Sequence, residues 1–127
     1  MSVTLWGADK LGSFDCVERG VGRALMEFGE LVRALGLSTV GRNVEGAGRS
    51  IVRQEYRPEP IVDVDSIAEE MADVVIVLYR AASAAGIDLH TEIDRKMAIN
   101  RKRDWRREAG GTGRHIDGGG RLAPPDA

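Results

Sequence analysis

Two acidic pairs share one spacing, Glu27-x-x-Glu30 in MEFGELVRAL and Glu70-x-x-Asp73 in IAEEMADVVIVLY. Side chains at i and i+3 of a helix are neighbours, about 5–6 Å apart between Cβ atoms, so each pair projects two carboxylates from one turn. Two such helices packed face to face would aim four oxygen donors at one point, which suits a divalent cation. A third pair of the same spacing, Asp15 and Glu18, falls in the first turn of a predicted helix, where acids complement the macrodipole. Glu27 and Glu30 instead stand mid-helix beside Ala24, Phe28 and Leu31, and Glu70 and Asp73 run directly into Val74-Val75-Ile76-Val77-Leu78. The structural alternative is that these acids are edge charges paired with Arg33, Arg80 or Lys96.

No histidine or thiol accompanies the four carboxylates, so the donor set specifies a hard cation, Mg²⁺ or Mn²⁺, where zinc prefers nitrogen and sulfur. A di-iron site in a helical bundle needs Glu-x-x-His, and His90 and His115 lie elsewhere. Magnesium held by few protein ligands keeps waters and bridges phosphates, which makes a polyphosphate the natural substrate class. Lys96, Asn100 and Arg103 follow at spacings of four and three, on one predicted helix face, as complements to phosphate charge. The cations of RKRDWRR also suit a helix C-terminus. No nucleic-acid reading motif accompanies them, and no specific nucleic-acid binding is expected.

The elements that must carry these residues are helices. Val17, Val21, Ala24, Phe28, Leu31 and Leu35 recur at gaps of four and three, which predicts an amphipathic helix over Phe14 to Leu35 closed by Gly36. Gly20, Gly22 and Gly29 each cost about 1 kcal/mol relative to alanine, a cost that points to close helix approach or room for a ligand. Leu37 to Ile61 reads as a long connection with a short helix over Ala47 to Tyr56, broken by Gly41, Gly46 and Gly48 and ended by Pro58 and Pro60. Its Tyr56 and its arginines Arg42, Arg49, Arg53 and Arg57 are candidates for a base pocket or a subunit contact. Trp6, Phe28 and Tyr56 are candidate stacking residues for which packing is the plainer explanation. Asp65 or Ser66 can cap a helix running to Ala85, Ser66 with Glu69 having capping-box spacing, and the apolar run should be buried on more than one side. Gly86 ends it, and Asp88 can cap a last helix carrying Leu89, Ile93, Met97 and Trp105 on one side; the short loop predicts an antiparallel hairpin. Met1 to Ser13 looks irregular, its Leu5-Trp6 pair free to pack over the bundle. From Ala109 the chain is too rich in Gly and Pro to hold regular structure, dividing the sequence into a helical domain over 1–108 and a disordered tail over 109–127.

Composition sets the outer limits. A chain of 127 residues has room for one domain, and a net charge of -2 gives no general attraction to nucleic acid or anionic membrane. Cys16 is the sole cysteine, which excludes an intramolecular disulfide. No segment reaches the roughly 18–20 apolar residues of a membrane span and no signal peptide is evident, so a cytoplasmic protein is expected. With aromatics at 5% of residues, the core of a monomer would be thin. Val74 to Leu78 is apolar around the whole helix, more surface than a few helices can cover. The fold class expected is therefore all-α, an antiparallel helical bundle completed by oligomerisation into a homodimer or tetramer.

Three segments carry a family resemblance: EFGEL (Glu27 to Leu31), EEMADVVIVLYRAASAAGIDL (Glu69 to Leu89) and KMAINRKRDW (Lys96 to Trp105). Together they cover a little over a quarter of the chain, and in this order the sequence resembles the all-α nucleoside triphosphate pyrophosphohydrolases related to MazG and to the dCTP and dimeric dUTP pyrophosphatases. The resemblance implies an oligomeric helical bundle that hydrolyses an NTP or dNTP between its α and β phosphates, releasing NMP and pyrophosphate. By matching motif positions, Glu27, Glu30, Glu70 and Asp73 would be the magnesium-binding and catalytic acids. Lys96 and Asn100 would belong to the phosphate-facing end. Leu31 to Glu69 is longer than in compact members of the family, a departure that bears on substrate specificity. Two other readings are a pyrophosphohydrolase of phosphoribosyl-nucleotides and a non-catalytic helical oligomer whose acids fix helix register against Arg and Lys.

Overall fold

The computed structural model describes residues 14–57, 63–106, 111 and 113–116. The readings made for Met1 to Ser13, for Pro58 to Ile61 and for most of the 109–127 tail lie outside these residues. Four helices account for most of the described chain: α1 Val17–Ala34, α2 Ser38–Arg53, α3 Val64–Ala84 and α4 Leu89–Lys102. The expected all-α class is what the chain forms. The chain divides into two compact units, one of residues 1–58 with 103–127 and the other of 59–102.

The first unit is built on α1 and α2, and its contact is made of glycine. A methyl group at Gly22 would lie 2.8 Å from Ile51 Cγ2 and 3.0 Å from the Gly48 carbonyl, and one at Gly48 would lie 2.6 Å from the Gly22 carbonyl. One at Gly29 would lie 2.7 Å from the Gly41 carbonyl, and one at Gly41 the same distance from the carbonyl of Gly29. Gly22 thus meets Gly48 and Gly29 meets Gly41, which makes the two helices an antiparallel pair whose backbones touch. Met26 and Glu45 fill the space between the two glycine contacts, and both are buried. This corrects the expectation for residues 37–61. Gly41 and Gly48 do not break a helix there; they are the sites where α1 comes closest, and the helix is continuous from Ser38 to Arg53. The helix cost of Gly22, Gly29, Gly41 and Gly48 is offset by dispersion contacts along the pair.

Local signals place the ends. Gly36 adopts a φ of 91°, with its N–H donating to Arg33 O at 2.9 Å and the Leu37 N–H to Val32 O at 3.2 Å; this two-bond closure satisfies the last carbonyls of α1. The same closure ends α3, where Gly86 donates to Ser83 O at 3.0 Å and Ile87 to Ala82 O at 2.8 Å. The carbonyls at the end of α2 are met by side chains. Tyr56 donates its hydroxyl to Ile51 O at 2.7 Å, and Arg19 of α1 donates to Val52 O while its guanidinium lies 5.3 Å from the centre of the Tyr56 ring. Tyr56 is therefore a cap and packing residue. Desolvation, reinforced by the nearby Cys16 and Glu18, raises its phenol pKa above the ordinary value.

A short antiparallel pair completes what is described of this unit, β1 Asp104–Arg106 and β2 Arg114–Ile116, with Trp105 opposite His115. β2 falls within the stretch expected to lack regular structure, and Trp105 stands in β1, beyond the last helix. Gly111 and Gly113 hold positive φ values of 79° and 69°, so glycines taken as signs of disorder serve a chain reversal.

In the second unit the cap of α3 is Asp63, whose Oδ1 accepts from the Ser66 N–H at 3.0 Å, two residues before Asp65 and three before Ser66, the caps expected. Asp88 caps α4 as expected, accepting from the Thr91 N–H at 3.2 Å. No residue of α3 is buried. The expectation that Val74 to Leu78 is buried on more than one side is not met within the chain, where Val74 to Val77 are 50–57% exposed.

Candidate active site

Glu27 and Glu30 belong to α1, and the contact with α2 determines which way they face. Gly22, Met26 and Gly29 are the α1 residues turned onto α2. At 100° per residue, Arg23, Glu27 and Glu30 lie together on one flank of that contact, while Leu25 and Val32 lie on the other. Arg23 is tied to Glu27 by an ion pair of 2.7 Å, and Glu27 remains half exposed. Glu30 is half-buried closer to the contact. Arg23 was not singled out by the sequence reading, although its i, i+4 relation to Glu27 is the spacing that signals such a pair.

The apolar stripe of α1 points away from α2. Val21, Phe28, Leu31 and Leu35, the residues whose period predicted the helix, are 46%, 40%, 44% and 71% exposed. Burial in the first unit falls instead on the glycine face and on one carboxylate, Glu45. That side chain accepts a hydrogen bond from Arg33 Nη1 at 2.8 Å, and Arg49 Nη2 lies 4.0 Å from its other oxygen. A buried carboxylate is tolerated only with such partners. Arg33, considered above as a partner for the acidic pairs, is in this way bound to Glu45.

Glu70 and Asp73 lie one turn apart on α3, both exposed, in the second unit. Lys96 and Asn100 lie one turn apart on α4. Lys96 is exposed; Asn100 is half-buried, its amide 3.9 Å from Met97 Sδ. Arg103 follows the last residue of α4 and is half-buried. Among the described residues, neither unit by itself gathers three or more histidine, cysteine or acidic side chains able to hold a metal ion. Each unit therefore presents one of the carboxylate pairs, offering oxygen ligands at one helix turn.

Known proteins share part of this sequence. Over 55 residues the chain is 50% identical to a dATP/dGTP diphosphohydrolase of Salmonella phage PMBT28, a stretch covering 43% of this chain and 19% of that protein. The chain is similar to phage dATP/dGTP diphosphohydrolases. A second protein of that name, from Cyanophage S-2L, is 45% identical over 49 residues, which are 39% of this chain and 47% of the relative. The matches thus span less than half the length of either relative. They are consistent with the MazG-like resemblance read from the motifs. No family model matches the chain, and no solved structure matches it significantly.

Proposed function

We propose that the protein is a magnesium-dependent nucleotide pyrophosphohydrolase that cleaves an NTP or dNTP between the α and β phosphates, giving the nucleoside monophosphate and pyrophosphate. The observation that carries this reading is the identity of 50% and 45% to two proteins named dATP/dGTP diphosphohydrolase. Those names make purine deoxynucleoside triphosphates the first substrates to test.

The side chains fit the cofactor by their chemistry. Glu27, Glu30, Glu70 and Asp73 offer oxygen alone, and two carboxylates from one turn are what Mg²⁺ takes when water and substrate phosphate complete its shell. A bound Mg²⁺ would neutralise phosphate charge and make a water more acidic. The protein's own task is then positional. Arg23 holds the Glu27 carboxylate against α1, and Glu30 or Glu27 orients the attacking water and accepts its proton as a general base. Lys96, Asn100 and Arg103 supply donors to phosphate oxygens.

The apolar stripe of α1 and the run Val74 to Val77 are exposed in the single chain, more apolar surface than a monomer ordinarily shows to water. A homodimer or tetramer would cover it, so the active species is taken to be an oligomer. No helix among the described residues is long and apolar enough to cross a membrane, in keeping with a cytoplasmic enzyme acting on free nucleotides.

The test is to incubate the purified protein with Mg²⁺ and each NTP and dNTP, then separate the products. A monophosphate and pyrophosphate in equal amounts are expected. A diphosphate and free phosphate would refute the bond assigned, and no turnover of any nucleotide would refute the function.

A further inference from the structure

Gly46 has no packing reason to be glycine. It stands in the middle of α2, where the residue costs helix stability relative to alanine. A methyl group on Gly22, Gly29, Gly41 or Gly48 would meet a neighbour at 3.0 Å or less, whereas one on Gly46 would meet nothing within 4 Å. The small residue leaves space on the outside of the helix pair, and two of the four residues one turn away, Arg42 and Arg49, are cationic, the others being Asn43 and Ser50. Arg42 lies four residues before Gly46 and Arg49 three residues after it, so the three share one stripe of α2, continued by Arg53. Arg42 and Arg53 are exposed and Arg49 half-buried, with one nitrogen 4.0 Å from Glu45.

This stripe lies on the same broad side of the helix pair as the acids. Gly41, Glu45 and Gly48 face α1, and Arg42 and Arg49 each follow a facing residue by one position. Arg23, Glu27 and Glu30 likewise follow Gly22, Met26 and Gly29 by one. In an antiparallel pair of right-handed helices, residues that follow the contact positions by one fall on the same side of both helices. Gly29 opposite Gly41 also places Arg42 at the axial level of Glu27 and Glu30.

We propose that Arg42 and Arg49 flank a notch over Gly46 that binds the terminal phosphates of the substrate, the part released as pyrophosphate. Their Cα atoms are about 10 Å apart along the axis, a span that two long side chains can close around one phosphate group. Guanidinium groups bind phosphate through paired N–H donors, and the glycine lets that phosphate approach the helix without meeting a side chain. Naming the ligand as a nucleotide's polyphosphate rests on the pyrophosphohydrolase reading. The notch itself rests on the helix pair alone.

The experiment titrates the protein with inorganic tripolyphosphate by calorimetry, comparing wild type with Arg42→Ala and Gly46→Gln, each checked for an intact helical spectrum and a melting temperature no lower than that of the wild type. Gly46→Gln fills the notch while replacing glycine by a better helix former, so its melting temperature should not fall. Expected is binding by the wild type that weakens with salt and drops at least about 5-fold in each variant, an effect equal to about 1 kcal/mol. With dATP as substrate, both variants should raise KM more than they lower kcat. Equal affinity in wild type and both variants, or no binding by the wild type, would overturn the notch. So would a single-stranded oligonucleotide binding more tightly than tripolyphosphate. Tripolyphosphate carries no nucleoside, so the two readings fail separately. Variant-sensitive binding without nucleotide turnover removes the hydrolase and keeps the notch; normal turnover with variant-insensitive binding does the reverse.

Discussion

Replacing Gly29 by alanine puts a methyl carbon 2.5 Å from Glu45 Cγ, 2.6 Å from the Glu45 backbone nitrogen and 2.7 Å from the Gly41 carbonyl oxygen. Non-bonded carbon atoms rest at roughly 3.5–4.0 Å, so α1 and α2 must part by about 1 Å. Two of the three obstructing atoms are backbone and cannot swing aside. Alanine returns about 1 kcal/mol of helix propensity, while overpacking of a close contact costs about 1–3 kcal/mol. Separating the helices also stretches the 2.8 Å bond between Arg33 and the buried Glu45. The balance is a loss of about 1–2 kcal/mol. Gly46→Ala, in the same helix pair but facing open space, is expected to gain about 0.5–1 kcal/mol. Urea unfolding followed by helical circular dichroism measures both. With a slope of about 1–3 kcal/mol per molar, Gly29→Ala should lower the midpoint by several tenths of a molar or more, and Gly46→Ala should raise it. A Gly29→Ala midpoint at or above that of the wild type would refute the glycine contact between α1 and α2.

Three further outcomes are expected. The Thr91 N–H bonded to Asp88 holds that carboxyl below its usual 3.8; the cap's contribution should be complete above that value and be lost as pH falls through the lower folded one. Asp88→Asn should flatten this part of the acid unfolding curve, and a curve of unchanged shape would contradict the capping role. Glu70→Gln combined with Asp73→Asn should weaken Mg²⁺ binding at least about 10-fold by calorimetry, whereas unaltered affinity would show that these acids are not ligands. Light scattering coupled to size exclusion should report at least twice the 13.8 kDa chain mass, and an active species of one chain mass would remove the oligomer.

Three helix ends, those closed by Gly36 and Gly86 and the one capped by Asp88, were legible in the sequence because capping is local chemistry. Gly36, Gly86 and Asp88 act within a few residues of themselves, and the structure finds each in its expected role. The acid pairs were legible for the same reason, since i, i+3 spacing on a helix needs no neighbour to define it. The face of α1 that meets α2 was legible only through its glycines, since the helix cost of Gly22 and Gly29 pointed to a close helix approach. Apolar periodicity singled out Val21, Phe28, Leu31 and Leu35, yet the contact is made through Gly22, Met26 and Gly29. A hydrophobic stripe records that a face avoids water without naming what covers it.

The glycines separate what the chain determines locally from what only tertiary structure decides. In isolation each residue in Gly41, Gly46 and Gly48 weakens a helix, and a local reading breaks the chain there. Gly41 and Gly48 become helix-compatible only when Gly29 and Gly22 arrive from a distant part of the chain, because the contacts that offset their cost lie across the gap between backbones. Gly46 has no such partner, and its meaning lies in the open surface it leaves between two arginines. Helices α1, α3 and α4 and the spacing of the carboxylates follow from neighbours along the chain, whereas α2 does not. Which glycine is a contact, which a notch, and which flank carries Glu27 and Glu30 depend on a helix more than ten residues away, and local propensity does not encode that distance.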